Sequence, residues 1–443
     1  MAYRVDIIGA GISGLSTAYY LAQQPVEFDI HVWEKDAAAG GLAGTFTLPD
    51  GGIVEKFYHH FYRRDIALVQ LISELELEQD LLWQPGETGA YYARQAYRLS
   101  SPLDLLRFEP LPFLDRIRMG WLVLHAQRIK DWRSLDDLSV KDYIVKVAGQ
   151  TVYDIVWKPL LYGKFGPEAE QISAAWLWAK LTDRGASRNR QGHELLGYLR
   201  GGLGRIFDAI VTRLREAGHA VHLGEAVRRI HGSADHVESI DTDAGTFATD
   251  IVIGCGQVPD IAALLPEDAN GYRQTLERIG FLANVCLVLT LNRSLSEFYW
   301  TNVTEPDAPF VGIIEHTRLI GRSEYNHKHV VYLSSYVAQD DARLSMTAEE
   351  LTRNYMPAII RMFPEFTPEC IESRNLWTAR YAQPIVQVGY RHDIPTIASP
   401  LRNFFLCTMA QIYPNDRQVS NGVATGFRTA QHVADWCKSG IEQ

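Results

Sequence analysis

An α/β fold, α+β overall, is what this sequence predicts: a Rossmann-type dinucleotide-binding domain, discontinuous in sequence, with a mixed sheet-plus-helix domain between its segments. Three observations predict it. A short apolar strand (Val5, Ile7, Ile8) runs into Gly9-Ala10-Gly11-Ile12-Ser13-Gly14, the G-x-G-x-x-G turn of a dinucleotide-binding βαβ unit. A second strand, Phe28 to Trp33, ends at Glu34, twenty residues past Gly14. Further strand-like segments return near residues 250 and 405 without Pro/Gly-rich linkers, so the domains interleave instead of following in series.

Each part of the first unit has a physical reason. Gly9 allows the tight turn, Gly11 lets backbone approach a pyrophosphate, and Gly14 lets the helix Leu15 to Gln23 pack close to the strand. The helix N-terminus offers N–H groups and a positive dipole end to phosphates. At Glu34 a carboxylate can accept from ribose hydroxyls, which argues against a 2′-phosphate and so against NADP.

Directly after Glu34-Lys35 comes Gly40-Gly41-Leu42-Ala43-Gly44-Thr45, a second glycine cluster that a plain NAD-binding domain does not need. The pairing resembles the FAD domain of the flavoprotein group that includes amine oxidases, protoporphyrinogen oxidase, phytoene-type desaturases and UDP-galactopyranose mutase. There the second cluster runs along the pyrophosphate towards the flavin. Amine oxidases usually have Arg after the paired glycines, where this chain has Leu42. The departure touches the reaction, not the cofactor.

With 443 residues, 47% apolar and 22% charged, the chain supports two or three domains with sizeable cores. A net charge of −10 disfavours nucleic-acid binding, which needs a clustered basic surface. Five widely spaced cysteines without C-x-x-C indicate neither a disulfide framework nor a zinc site. The first strand starts within a few residues of Met1, and no apolar window reaches membrane-spanning length. A cytoplasmic protein without a bound metal is the expectation. Peripheral membrane contact and oligomeric state stay open.

Gly51 to Tyr62 reads as two glycines, a strand and paired histidines among aromatics. In the relatives a matching segment passes beside the flavin ring, and His59 to Phe61 aligns with it. The alternative is that the aromatics pack a domain junction and the histidines bond locally. From Arg64 to Lys180 the three- and four-residue spacing predicts helices over Ile66 to Leu77, Phe113 to Ile129, Val140 to Val147 and Val152 to Tyr162, with Asp65 as an N-cap. Leu99 to Phe113, rich in Leu, Phe and Pro, is expected as core and channel lining, with a membrane-surface patch as the alternative. Lys158 and Lys164, in a segment that resembles one following the relatives' substrate-domain helices, are candidate site cations. Arg184, Arg188 and Arg190 lie in a basic loop that either clamps a phosphate or carboxylate or is simply solvated.

Gly201-Gly202-Leu203 before a helix resembles the point where relatives re-enter the FAD domain. A β-meander follows, in which Val227 matches the position whose backbone holds adenine in relatives, and then a buried strand, Asp250 to Gly254. Strands Phe281 to Leu291, Phe310 to Glu315 and Val330 to Val337 suggest a substrate-domain sheet, and Thr347 with Glu350 forms a capping box. Arg380 and Tyr381 resemble substrate-facing residues. Cys407 and Met409 stand where relatives usually have a glycine and an acid, so backbone N–H groups there are expected to serve the cofactor. The last helix opens near Ser420, its positive end towards the flavin.

The resemblance thus implies that Gly9, Gly11, Ser13, Gly14, Glu34, Lys35, Gly41, Leu42, Val227, Thr408, Met409 and Val419 hold FAD. Residues 1–75, 192–265 and 400–443 form the FAD domain, and 76–191 and 266–399 the substrate domain. The implied activity is hydride removal from a C–N or C–C centre of a small molecule to flavin N5, with O₂ or another acceptor reoxidising it. His59, His60, Tyr62 and Tyr381 are its candidate wall. The alternative is a non-redox mutase, with Arg184, Arg188 and Arg190 on a nucleotide-sugar diphosphate. A carrier without turnover is the third class.

Overall fold

The computed structural model describes residues 2–185, 195–233, 235–305 and 307–441. Five parallel strands form one sheet in the order Ala220–Leu223, Phe28–Glu34, Tyr3–Ile8, Ile251–Gly254 and Phe404–Leu406. Its central strands are rich in buried Val, Ile and Phe because both faces are covered. Val5, Ile7, Ile30 and Val32 pack against the helices Ile12–Leu21, Gly204–Glu216 and Val419–Ile441. Ile8, Trp33, Val252 and Phe404 point the other way, in one cluster with Val227, Ile230 and Ile240 of the three-stranded meander Val227–Ala248. The alternation is the two-residue period of a strand.

Glycines bring the helices Ile12–Leu21 and Val419–Ile441 together. A Cβ on Gly422 would lie 2.7 Å from Ile12 Cγ2, and one on Gly426 would lie 2.8 Å from Ser16 Cβ. This contact sets where the second helix begins, and hence where its positive end points.

The second large sheet has seven strands, ordered Ile371–Pro384, Phe281–Leu291, His329–Val337, Gly312–Glu315, Trp300–Val303, Thr88–Tyr92 and Gln95–Arg98. Trp300–Val303 and Thr88–Tyr92 pair parallel, and the other neighbours antiparallel. Every residue of Phe281–Leu291 is buried. Val285, Leu287 and Leu289 face the helix Ala348–Met362, which opens with the expected capping box. Cys286 and Val288 face inward with Tyr332, Tyr58 and Trp377.

Three expectations need correction. The helix expected over Val152 to Tyr162 widens to a π-helical turn at Tyr153–Trp157 before Lys158–Phe165. Pro159 explains it, having no N–H to return to the Ile155 carbonyl. Asp65 occupies the N-cap position of Ile66–Glu74, but its Oδ2 accepts from the Tyr62 N–H at 2.7 Å. Within Leu99 to Phe113, Phe108 and Leu111 are buried while Leu103, Leu106 and Phe113 are exposed, so this run is not simply core and channel lining.

Candidate cofactor and substrate site

The two glycine clusters meet. Gly40 N–H donates to Ala10 O at 2.9 Å, and Gly11 bridges to Gly40. A Cβ on Gly14 would sit 1.9 Å from Gly9 O, so only glycine fits there. Around Gly11 there is open space instead. Glu34 closes the arrangement: buried, it accepts from the Ala10 N–H at 2.8 Å and from the Asp36 N–H at 3.0 Å. A carboxylate has about four lone-pair sites, so acceptor capacity remains for ribose hydroxyls.

Val227 reaches the same place. Glu225 N–H donates to Glu34 O at 2.9 Å, which sets the start of the Val227–Gly232 strand beside the acid. Glu225 Oε2 is buried with no partner. An open backbone cradle at Gly11 and acceptors at Glu34 and Glu225 fit a pyrophosphate and a ribose. Ser13 is buried and Ser13 O accepts from Thr17 Oγ1, Leu42 is half-buried, and Lys35 and Gly41 are exposed.

At the C-terminal end the expected backbone donors are partly committed. Cys407 N–H donates to Gly254 O at 2.9 Å and Thr408 N–H to Gln411 Oε1 at 2.7 Å. Met409 lines a cleft with Trp176, Gln383, Asp416 and Arg417, just before the helix that opens at Val419.

Asp416 and Arg417 join this cleft to a cluster of charges beside it. Asp416 Oδ2 takes Lys164 Nζ at 3.5 Å and also pairs with Lys180. Arg417 Nη2 donates to Tyr336 OH at 2.6 Å and Nε to Gln383 Oε1 at 3.2 Å. Lys164 Nζ lies 5.0 Å from the Trp176 ring centre and Lys180 Nζ 5.3 Å from it. Three cations and one carboxylate leave an excess of two positive charges. Burial alone would raise the Asp416 pKa, but Lys164 and Lys180 pull it well below the carboxylate range. Burial likewise works against Tyr336 ionisation, and Arg417 and Lys164 override it to lower its pKa. For Lys164, burial wins and lowers its pKa despite Asp416. Trp176 Nε1, an obligate donor, is buried with no partner. Such a site is complementary to an anion.

His59 belongs to this neighbourhood. Its Nδ1 lies 2.7 Å from Phe57 O, and burial, with help from Arg417, lowers its pKa to about 4. His60 is in a different network, with Nδ1 3.0 Å from Tyr299 OH and Nε2 3.3 Å from Tyr62 OH. Tyr381 packs edge-on against Phe281 with ring centres 5.9 Å apart. Arg188, Arg190 and the Arg184 side chain lie outside the described residues. Lys158 sits over the Tyr162 ring at 6.0 Å. Among the described residues, no group of three His, Cys, Asp or Glu side chains is placed to hold a metal ion.

A sequence profile of the flavin containing amine oxidoreductases matches residues 12–434. The chain belongs to this family. The family implies a flavin cofactor. The chain is 27% identical over 184 residues to the coproporphyrinogen III oxidase of Staphylococcus aureus, covering 39% of the chain and only 38% of that enzyme's length. To the 15-cis-phytoene desaturase of Synechococcus elongatus it is 22% identical over 463 aligned positions, covering 97% and 95% of the two chains. The crystal structure of reduced UDP-galactopyranose mutase superposes with a TM-score of 0.75 at 14% identity, over 98% of this chain and 94% of that one, a likeness of fold alone.

Lys164 stands out in the sequence, but its partners do not. Trp176 and Lys180 stand four apart on the helix Ala174–Gly185, so they share a face. Asp416-Arg417 precedes the last helix. Those local signals existed, but only the fold joins them.

Proposed function

We propose that the chain is an FAD-dependent oxidoreductase that removes a hydride from a C–N or C–C centre of a small organic anion. When bound, FAD supplies N5 as hydride acceptor, with O₂ or another acceptor reoxidising it. Residues 1–75, 192–265 and 400–443 would hold the cofactor, and 76–191 and 266–399 the substrate.

The observation that carries the substrate half of this reading is the excess of positive charge at Lys164, Lys180 and Arg417, beside the start of the helix Val419–Ile441. Partly buried cations in excess of their one carboxylate are costly, and an anionic substrate group would compensate them. The residues' roles follow from chemistry. Arg417 offers donors in a fixed fork, and Lys164 and Lys180 add point charges held against aromatic faces. His59 stays neutral at physiological pH, with Nε2 as an acceptor. Aromatic side chains at Tyr58, Trp176 and Tyr336 exclude water around these groups.

The test is anaerobic mixing of the purified holoprotein with amines, polyenes and porphyrinogens, each with and without a carboxylate or phosphate. Loss of the oxidised flavin absorbance with the anionic members supports the reading. Reduction by neutral members alone would overturn the anion assignment, and reduction by none the oxidoreductase assignment.

The same cations favour a second reading, a nucleotide-sugar mutase using reduced flavin without net redox change, because a diphosphate also satisfies them. Turnover of UDP-sugar only after dithionite reduction supports it; turnover by the oxidised protein rejects it.

A further inference from the structure

We propose, on the basis of the oxidoreductase reading above, that Tyr336 takes up the proton released as the substrate is oxidised, its oxygen held by Arg417 while His59 orients the substrate. Removing a hydride from a C–N or C–C centre leaves a cation unless a proton is lost too, so the reaction needs a proton acceptor beside the flavin. One C–H bond breaks and its electron pair leaves with the hydrogen, as hydride for the flavin. The neighbouring N–H or C–H bond also breaks, and its electron pair stays to form the second bond of C=N or C=C. Its proton forms the Tyr336 O–H. The substrate loses two electrons, both carried by the hydride.

Donor geometry points to this tyrosine. An arginine only donates, so the 2.6 Å bond from Arg417 Nη2 occupies a lone pair of the Tyr336 oxygen. Among the described residues nothing else bonds to that oxygen, so no protein acceptor holds the phenol proton. Tyr336 is half-buried, with Lys164 Nζ 5.4 Å from its ring centre. Directly opposite on the adjacent strand stands Asn284, only 2% exposed, whose Nδ2 donates to Ser334 Oγ at 3.0 Å and whose Oδ1 has no partner. Residues that face each other across an antiparallel pair project from the same side of the sheet. An unmet buried acceptor therefore shares a face with the phenol, and a substrate donor is what it lacks.

Charge favours the ionised oxygen. Around Tyr336 stand Arg417 and Asp416 from the loop before the last helix, Lys164 from the helix Lys158–Phe165 and Tyr58 from the segment after the strand Ile53–Glu55, while Asn284 on the adjacent strand is uncharged. Burial works against the phenolate, but Arg417 and Lys164 outweigh it together with Asp416 and hold the Tyr336 pKa below the ordinary 10. Burial instead pushes the nearby Tyr58 and Tyr332 well above it. Below its pKa Tyr336 already carries a proton and cannot accept another. Flavin reduction should therefore rise with pH through that value and then level off.

Two measurements on the holoprotein test this. Ultraviolet difference titration needs no substrate: the wild type should gain one tyrosinate, with a midpoint below pH 10, that Tyr336→Phe lacks. Arg417→Met should move that midpoint up by about one unit or more. Equal tyrosinate curves for wild type and Tyr336→Phe below pH 10 overturn the proposal. Single-turnover reduction is then followed against pH with the compound that bleaches the flavin in the anaerobic screen. Tyr336→Phe should slow it about a hundredfold or more and lose the rising limb, with flavin content unchanged. Should that variant misfold, Lys164→Met serves instead, in which the limb should persist and shift to higher pH. A limb that vanishes in Lys164→Met belongs to that lysine, and one near pH 4 belongs to His59; either result overturns the assignment, as does an unchanged rate in folded Tyr336→Phe. Reduction by no compound in the screen overturns the oxidoreductase reading and this role with it, whereas the other failures leave that reading standing.

Discussion

Arg417 donates from Nη2 to the Tyr336 hydroxyl at 2.6 Å, tying the loop before the last helix to the strand His329–Val337. Through Nε it also holds Gln383, on the strand Ile371–Pro384. One guanidinium thus joins the loop before the last helix to two strands of the seven-stranded sheet. Replacing it with Met should weaken binding of an anionic substrate by about 1.5–3 kcal/mol, roughly ten- to a hundredfold, as expected for a lost charge-assisted bond. Arg417→Lys should recover part of this, since it keeps charge but loses the fork. Anaerobic flavin titration reads the affinity, and flavin content should not change. An unaltered affinity in Arg417→Met would remove this residue from the substrate site.

Gly14 and Gly11 should separate folding from cofactor binding. A methyl at Gly14 collides with Gly9 O at 1.9 Å, so Gly14→Ala should lose stability by about 1–3 kcal/mol or more. At Gly11 a methyl meets nothing within 4 Å. Gly11→Ala should therefore fold with nearly unchanged melting temperature but purify with little flavin, because the methyl enters the volume assigned to pyrophosphate. Full flavin content in Gly11→Ala would place the phosphates elsewhere.

These contrasts show which parts were legible from residues alone. The first turn was, because a glycine at positive φ, a strand and an acid at fixed spacing are consequences of local geometry, and Gly9 and Glu34 lie where that geometry requires. The charge cluster was not, because Lys164, Lys180 and Arg417 come from two helices and a loop separated by more than two hundred residues. Spacing cannot reveal a site that only tertiary packing closes. The helix Phe113–Arg128 was legible as a helix but not in its orientation, because it is apolar on two sides and periodicity cannot say which side the core takes. The Cys407 and Thr408 N–H groups went to Gly254 and Gln411, partners that no motif announces.

Glu55 makes stability depend on pH. It is fully buried, with Oε1 accepting from the Leu203 N–H at 2.9 Å and Oε2 from Tyr198 OH at 2.9 Å, and burial pushes its pKa from 4.5 up to about 7. A carboxyl raised in the folded state gives its full stabilising contribution below the unfolded pKa. As pH rises from 4.5 the unfolded chain ionises first, and stability falls until the folded group ionises near 7. The total loss is about 3 kcal/mol by linkage. Denaturant unfolding at pH 5 and pH 8 should show this drop in the wild type and a flatter response in Glu55→Gln. Equal slopes for the two would mean that Glu55 is ionised in the folded protein throughout.

His59 and His60 are adjacent in sequence and should behave oppositely. A carbonyl can only accept, so the 2.7 Å contact to Phe57 O requires the proton on His59 Nδ1 and leaves Nε2 as an acceptor. Burial lowers its pKa to about 4, so it is neutral across pH 5–8 and contributes no titration limb to flavin reduction in that range. A neutral acceptor there can orient a substrate N–H or take its proton, which is worth about 10²–10⁴ in rate where it acts as a base. His59→Ala should therefore slow reduction by about tenfold or more. His60 instead spans Tyr299 and Tyr62 with its two ring nitrogens, so its loss takes a partner from the buried Tyr299 hydroxyl and should cost about 1–3 kcal/mol of stability with a smaller effect on rate. Single-turnover kinetics and thermal melts on both variants decide it, and equal effects on rate would mean that the pair acts as one structural unit.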